Sequence, residues 1–298
     1  MTPTYWDMER RGSAESWRRL RQYRSVLLDM TADDDLQSLF ATGLHQAEQQ
    51  FKAATTIGPE SRPLNLFYGL SQAGRAIAVA ASLSRATLAR LDGHGITCRD
   101  LQNFRKHRVP DLSTLVVRSR DSQDASFPVL SKILESQDLS SAINLGQLWE
   151  VLVEPQLHEP LIALQNPVLL ARADELLGPE GSGTKFLYLD GIPASEDFND
   201  PVSFANFAAS YPSLAGSTFD RVTGHSSVRD GRSDTQSIQV SWTVSSGGSS
   251  GATDSIGIYR QSLFVLPAPP GGDRPMHPLM IWWAVLFGLS MLARYEPT

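Results

Sequence analysis

The sequence has a single cysteine, no excess of positive charge and no apolar run of the length that a bilayer requires. Cys98 alone excludes an intrachain disulfide and a zinc site built on several thiolates. Lys and Arg number 26 against 32 for Asp and Glu, so the net charge of -6 gives no global attraction for nucleic acid. The longest apolar run, residues 279–293, is shorter than the roughly 20 residues of a spanning helix, and we interpret it as a buried core helix.

Signals for metals, cofactors and export are also missing. Histidines and carboxylates do not recur three or four residues apart in facing sets, so the sequence predicts no metal site. The stretch Gly178–Thr184 lacks the lysine and the following helix of a phosphate-binding loop, which argues against ATP and NAD and leaves no predicted cofactor. Residues 1–7 lack an apolar core after a basic start. We therefore expect no signal peptide, no membrane partner and a cytoplasmic protein.

Helical periodicity dominates the two ends of the chain. Apolar residues spaced by three and four predict a first helix from Ser13, a second over Leu36–Ala54 and a third over Leu64–Leu91. The third segment is apolar or small nearly all round, as expected of the central helix of a bundle. The run 279–293, bounded by prolines, predicts a last helix that packs back on the first three.

The middle of the chain carries shorter and more varied patterns. They predict strands at Leu115–Arg118 and Lys185–Leu189, and helices at Ala142–Leu152 and Pro160–Leu177. The segments Gln236–Val244 and Ile256–Val265 alternate apolar and polar residues, which predicts a β-hairpin with a flexible Gly/Ser connector, Ser245–Gly251. The expected fold class is α+β. Its parts are a helical bundle in residues 1–108, a mixed α/β insertion containing the hairpin in 109–272, and a closing apolar helix in 273–298.

The segment Gly69–Gly74 fits two incompatible interpretations. It imitates the strand-turn-helix nucleophile elbow of α/β-hydrolases, in which Ser71 would be the nucleophile of a serine esterase. A hydrolase places several strands and an oxyanion loop before this turn, whereas residues 13–57 predict two helices. The sequence therefore favours a helix in which Ser71 is a small packing residue, and the esterase stays an alternative.

Several short motifs together resemble the YaaC-like proteins of bacteria. They bracket most of the chain: Arg62-Pro63-Leu64, Phe67-Tyr68, Gln72-Ala73-Gly74-Arg75-Ala76, Gly93-His94-Gly95-Ile96, His277-Pro278 and the ending Leu289–Pro297. In this family the chain usually continues into more helix after such an ending. The resemblance implies no particular reaction.

A second resemblance is to the helical HEPN modules, which also carry an aromatic pair, small residues with Arg-Ala, and a later His-Gly. HEPN modules pair with nucleotidyltransferases or cleave RNA in defence and toxin assemblies, so the resemblance implies RNA or another nucleic acid as partner. It also implies a protein partner encoded nearby, and a homodimer with a groove between the copies. In the nuclease members an Arg and a His with four to six residues between them act on the RNA phosphate. Arg90 and His94 are the candidate catalytic pair, although only three residues separate them.

The candidate site residues each have a structural alternative. His94 between two glycines either makes a turn or lines a functional groove. Arg75 either pairs with a buried carboxylate such as Glu296 or faces a binding site, and we favour the pairing. Arg294, Tyr295 and Glu296 either close a polar site or cap the core.

A basic patch on the first helix completes the set of candidate binding residues. Arg18 and Arg21, with their arginine neighbours, either form a solvated face or contact a phosphate or RNA. The sequence thus leaves open whether the chain is an enzyme. The rival to nucleic-acid binding or metal-free RNA cleavage is a noncatalytic assembly subunit.

Overall fold

We describe a computed structural model of the 298-residue chain. The residues that it describes are 13–24, 34–82, 91, 93–99, 101, 115–120, 125–153, 166–177, 183–198, 200–226, 234–244, 256–259 and 262–295. They fall into two compact units. Unit 1 comprises Met1–Asp111, Leu115–Ala142 and Trp282–Thr298, and unit 2 comprises Leu112–Thr114 and Ile143–Ile281.

Helices form most of unit 1. They are α1 (13–24), α2 (Asp34–Ala54), α3 (Arg62–Ser82), α4 (Ser126–Ile133) and the greater part of α7 (Pro278–Tyr295). Strands β1 (Ile96–Arg99) and β2 (Val116–Ser119) pair antiparallel, with Thr97 opposite Arg118. The predicted helices at 13, 36–54, 64 onward and 279–293 are confirmed, as is the strand at 116–118; the end of the third predicted helix, 83–90, lies outside the described residues.

Small residues allow α2 and α3 to pack closely. A Cβ at Gly43 would lie 3.1 Å from the carbonyl oxygen of Gln72 and 3.4 Å from the Ala76 Cβ, so a larger residue would force the two helices slightly apart. The periodic apolar face of α2, including Leu36, Phe40 and Leu44, is buried against α3. This periodicity is the pattern that predicted α2 from the sequence.

Helix α7 is the one described helix that is long and apolar enough to cross a membrane by length and composition, and half of it is buried within the structure. Its first turn is held by His277, whose Nδ1 accepts a hydrogen bond from the Leu279 N–H at 3.1 Å. An imidazole at this position therefore caps one of the unpaired N–H groups of a helix start. Trp283 and its neighbours through Phe287 are buried.

Unit 2 is built on an antiparallel six-stranded sheet. Its order is β6-β7-β5-β4-β9-β8, with β4 at Leu169–Leu177, β5 at Gly183–Pro193, β6 at Thr218–Ser226, β7 at Thr235–Val244, β8 at Gly257–Tyr259 and β9 at Ser262–Val265. The remaining elements are β3 (Ile143–Asn144), α5 (Leu145–Glu150), α6 (Pro201–Ala209) and a 3-10 turn at Pro212–Leu214. The α+β class is thereby confirmed, and the HEPN-like bundle stays a prediction.

One face of this sheet carries the core of unit 2. Alternate residues of the central strands, such as Leu187 and Val240, are buried against Phe204 and Phe207 of α6. Asp200 caps α6 by accepting hydrogen bonds from two backbone N–H groups of its first turn.

Two predictions for this unit are wrong. The segment predicted as a helix over Pro160–Leu177 is strand β4 from Leu169 onward, because pairing with β5 and β9 and burial of Leu169 outweigh helix propensities of under about 1 kcal/mol per residue. The predicted hairpin also has the wrong partners. Strand β7 pairs with β5 and β6, whereas β9 pairs with β4 and β8. The Gly/Ser connector, Ser245–Gly251, lies outside the described residues.

Candidate functional site

His94 lies in a short loop whose backbone conformation only glycine adopts readily. Gly93 and Gly95 on either side have φ of 66° and 69°. The Ser126 hydroxyl donates a hydrogen bond of 2.6 Å to the Gly93 carbonyl, and the backbone N–H of Arg120 donates one of 2.9 Å to the Gly95 carbonyl. These bonds fix the two peptide groups beside the histidine.

Aromatic rings from α3 and α7 surround the imidazole. Its centroid lies 4.9 Å from that of Phe67, 6.3 Å from that of Tyr68 and 6.0 Å from that of Phe287. Phe67 is fully buried, whereas Tyr68 and His94 are partly exposed. One edge of this aromatic cluster therefore belongs to the core of unit 1, and the other is accessible to a ligand.

Arginines from three different elements lie near enough to the histidine for their charges to lower its pKa. Arg294 of α7 donates a hydrogen bond of 2.6 Å to the Tyr68 hydroxyl, and its guanidinium carbon lies 5.4 Å from the centre of that ring. Arg75 follows Tyr68 by two helical turns on α3, and Arg120 follows β2 beside the loop. Within the described part of the chain, none of the three has a carboxylate at ion-pair distance. We call His94, Tyr68 and these three arginines the His94 site.

The His94 site keeps its histidine neutral. Burial lowers the pKa of His94 below its ordinary value, and the charges of Arg294, Arg75 and Arg120 lower it further. Near neutral pH the site therefore presents guanidinium groups beside an unprotonated imidazole. Guanidinium groups bind phosphate through paired N–H donors, and a neutral imidazole accepts a proton. The arrangement is chemically suited to a phosphate group.

A pH prediction follows from this lowered pKa. The folded form binds the His94 proton less tightly than the unfolded chain does. The contribution of His94 to the free energy of unfolding is therefore fully present above an ordinary histidine pKa of about 6.5, and it is lost as the pH falls towards the lowered pKa. Denaturant midpoints measured between pH 7.5 and 5 should fall with acidification, and less steeply in His94→Gln. His277, whose pKa is also lowered by partial burial, accounts for part of the remaining slope. An unchanged slope in His94→Gln would contradict the prediction.

The structure brings only some of the predicted site residues together. His94, Arg75 and Arg294 meet in the His94 site, while Tyr295 is exposed at the end of α7. Arg90 and Glu296 lie outside the described residues, so the Arg90–His94 pair and the Arg75–Glu296 pair stay predictions.

The basic patch on α1 is paired with glutamates. Arg18 makes two hydrogen bonds of 2.6 Å to Glu15, and Arg21 and Arg24 both bind Glu48 of α2. Hydrogen bonds from Arg18 and Arg19 hold the pKa of the Glu15 carboxyl at about 2, well below its usual range. Arg18 and Arg21 thus meet carboxylates where phosphate contacts were predicted, which makes their charge less available to an anion.

Ser71 lies within helix α3 and is buried. The helix is continuous from Arg62 to Ser82, so residues 64–68 form no strand and residues 69–74 form no turn. The helical interpretation of this segment is confirmed. A nucleophile elbow at Ser71 would need a strand and a sharp turn in these residues, and the continuous helix argues against the esterase.

Sequence reasoning missed two members of the His94 site. Tyr68 was noted only as part of an aromatic pair, although its spacing of seven from Arg75 places both on one face of a helix. Arg120 had no local signal, because it reaches the site through the pairing of β1 with β2. The described residues contain no group of His, Cys, Asp and Glu able to hold a metal ion.

Comparison with known proteins finds one family model, described as YaaC-like Protein, which matches residues 18–298. Neither the curated proteins nor the solved structures yield a match. The family match covers nearly the whole chain and confirms the resemblance read from its short motifs. The similarity to HEPN modules stays a prediction.

Proposed function

The chain belongs to the YaaC-like protein family, and we propose that it binds RNA through a phosphate group held at the His94 site. The observation that carries the proposal is the hydrogen bond of 2.6 Å from Arg294 to the Tyr68 hydroxyl beside His94, whose pKa is also lowered by the charges of Arg75 and Arg120. Positive charges near one another repel, and a bound anion would reduce that repulsion. The rings of Tyr68 and His94 offer surfaces on which a nucleobase stacks.

Cleavage of the RNA at this site is the second candidate, and the neutral state of His94 favours it. In that reaction the imidazole takes the proton from a ribose 2′-hydroxyl, the 2′-oxygen attacks the adjacent phosphorus, and the 5′-oxygen of the next nucleotide leaves. The arginines would stabilise the added negative charge on the phosphorus oxygens. The HEPN-like fold, a homodimer, a cytoplasmic location and a role in a defence or toxin assembly with a nearby protein partner belong to the same proposal by analogy.

The test measures binding and cleavage of a fluorescent single-stranded RNA in the presence of EDTA. We expect Arg294→Gln to weaken binding about tenfold or more, because a charge-assisted hydrogen bond contributes about 1.5–3 kcal/mol. If the chain cleaves RNA, His94→Gln should abolish cleavage while it changes binding less. Arg90→Gln tests the predicted catalytic partner in the same assay.

Matched controls come from unit 2. Arg221 and His225 are exposed residues of β6, and Arg221→Gln and His225→Gln remove the same chemical groups far along the chain from the site. Equal losses of binding in Arg221→Gln and Arg294→Gln would show a general charge effect and contradict the proposal. Absence of any RNA binding by the wild type would also contradict it and would favour the noncatalytic assembly subunit.

A further inference from the structure

The Tyr68 hydroxyl can donate a hydrogen bond that the described residues do not use. Its oxygen accepts a hydrogen bond of 2.6 Å from Arg294 Nη2. A phenolic hydroxyl that accepts one bond still carries a proton that it can donate. Within the described part of the chain this hydroxyl makes no other hydrogen bond. Because Tyr68 is partly exposed, the proton is available to a bound molecule.

The imidazole of His94 adds a donor and an acceptor beside this hydroxyl. Its ring is partly exposed, and its centroid lies 6.3 Å from that of Tyr68. A neutral imidazole has one N–H that donates and one nitrogen that accepts. Neither nitrogen makes a hydrogen bond to any residue that the structure describes, and the rings of Phe67 and Phe287 that surround it have no polar atoms.

These polar groups fit a hydroxyl group that lies next to a phosphate. A hydroxyl both accepts and donates, so it can accept the bond from Tyr68 and donate its own proton to the adjacent His94. The remaining N–H groups of Arg294 suit a phosphate oxygen. In a nucleic-acid strand the group that answers this description is the ribose 2′-hydroxyl, which DNA lacks.

We infer that the Tyr68 hydroxyl binds a ribose 2′-hydroxyl and thereby makes the His94 site select RNA over DNA. The inference rests on the proposed function and names the residue that sets its specificity. The ring of Tyr68 and the Arg294 guanidinium contact a base and a phosphate, which both nucleic acids have. The hydroxyl of Tyr68 contacts the group that distinguishes them.

The experiment compares three single strands with the same bases: RNA, DNA, and RNA with fluorine in place of each 2′-hydroxyl. Fluorine keeps the sugar conformation of RNA but donates no hydrogen bond, so the third strand separates the hydroxyl from the shape of the strand. Fluorescence anisotropy at fixed salt and with EDTA should show RNA bound about three- to tenfold tighter than the other two strands, as expected for one hydrogen bond. A gel run after each titration establishes that the RNA is intact.

Tyr68→Phe keeps the aromatic ring and removes only the hydroxyl group. We expect it to bind RNA about as weakly as DNA, with DNA binding nearly unchanged. Tyr188→Phe is the matched control, because Tyr188 is also partly exposed and has a guanidinium near its ring, that of Arg172, with 5.3 Å from Cζ to the centroid. This control should keep the RNA preference of the wild type, and circular dichroism compares the folding of the two variants.

The outcomes separate this inference from the function on which it rests. Equal binding of RNA and DNA by the wild type, weakened for both by Arg294→Gln, would overturn the inference and leave the phosphate contact intact. An RNA preference that survives in Tyr68→Phe would overturn the role of its hydroxyl, and so would binding of the fluorinated strand as tight as that of RNA. Binding of none of the strands would overturn both the inference and the proposed function.

Discussion

Replacement of Trp283 by alanine is expected to lower the free energy of unfolding of unit 1 by about 3–5 kcal/mol. The indole is 1% exposed, and its ring meets that of Phe67 edge-on with 5.8 Å between the centroids. It also covers Gly74, where an added Cβ would lie 2.7 Å from its Cζ3 atom and 2.6 Å from Leu130 Cδ1. Removal of the ring leaves a cavity that the backbone at Gly74 has no side chain to fill. Denaturant unfolding monitored by circular dichroism measures the loss.

Trp282→Ala is the matched control for this prediction. The two tryptophans are adjacent on α7, but Trp282 is only partly buried while Trp283 is fully buried. We expect Trp282→Ala to cost less than half as much, because less apolar surface is removed from the interior. Equal losses in the two variants would contradict the placement of Trp283 in the core of unit 1.

Gly95→Ala is expected to cost about 3 kcal/mol or more, the second large effect. Its φ of 69° lies in the left-handed region, where a side chain costs about 1–2 kcal/mol. An added Cβ would also lie 2.7 Å from the backbone nitrogen of Phe127 and 2.9 Å from the Ala125 Cβ. Since backbone atoms at the start of a helix cannot move aside cheaply, overpacking adds about 1–3 kcal/mol. Denaturant unfolding again gives the measurement.

Gly93→Ala measures the conformational part of that effect without the steric part. Gly93 has nearly the same φ, 66°, but an added Cβ would meet no atom within 4 Å. Its replacement should therefore cost only the conformational part, about 1–2 kcal/mol. If Gly93→Ala proved as destabilising as Gly95→Ala, close packing of the loop against α4 would not be the reason for Gly95.

Local patterns predicted the long helices at the two ends of the chain and the strands at Lys185–Leu189 and Gln236–Val244, but not which strands pair. The spacing of apolar residues in α2 and α7 depends on neighbours one turn away, and both helices formed close to their predicted bounds. Strand β4 has the composition of a helix, and its state depends on β5 and β9, which lie far along the chain. Helix α6 and strand β6 gave no strong local signal and were not predicted.

The candidate site was predicted residue by residue but not as an arrangement. His94, Arg75 and Arg294 were singled out for different reasons, and the expected partners of two of them, Arg90 and Glu296, lie outside the described residues. Arg120 was placed beside the loop only by the structure, in which its backbone N–H donates a hydrogen bond to the Gly95 carbonyl. The charge gathered at the His94 site could not be read from the net charge of -6, because distant arginines meet there.

By itself the sequence determined the family, the α+β class and the amphipathic helices, because each depends on motifs or spacing within a short stretch of chain. Only the tertiary structure decided that β4 is a strand and that Arg294 and Tyr68 meet beside His94. Those features depend on contacts between residues far apart in sequence. Strand pairing and the meeting of side chains from distant elements leave no periodic trace in the order of the amino acids.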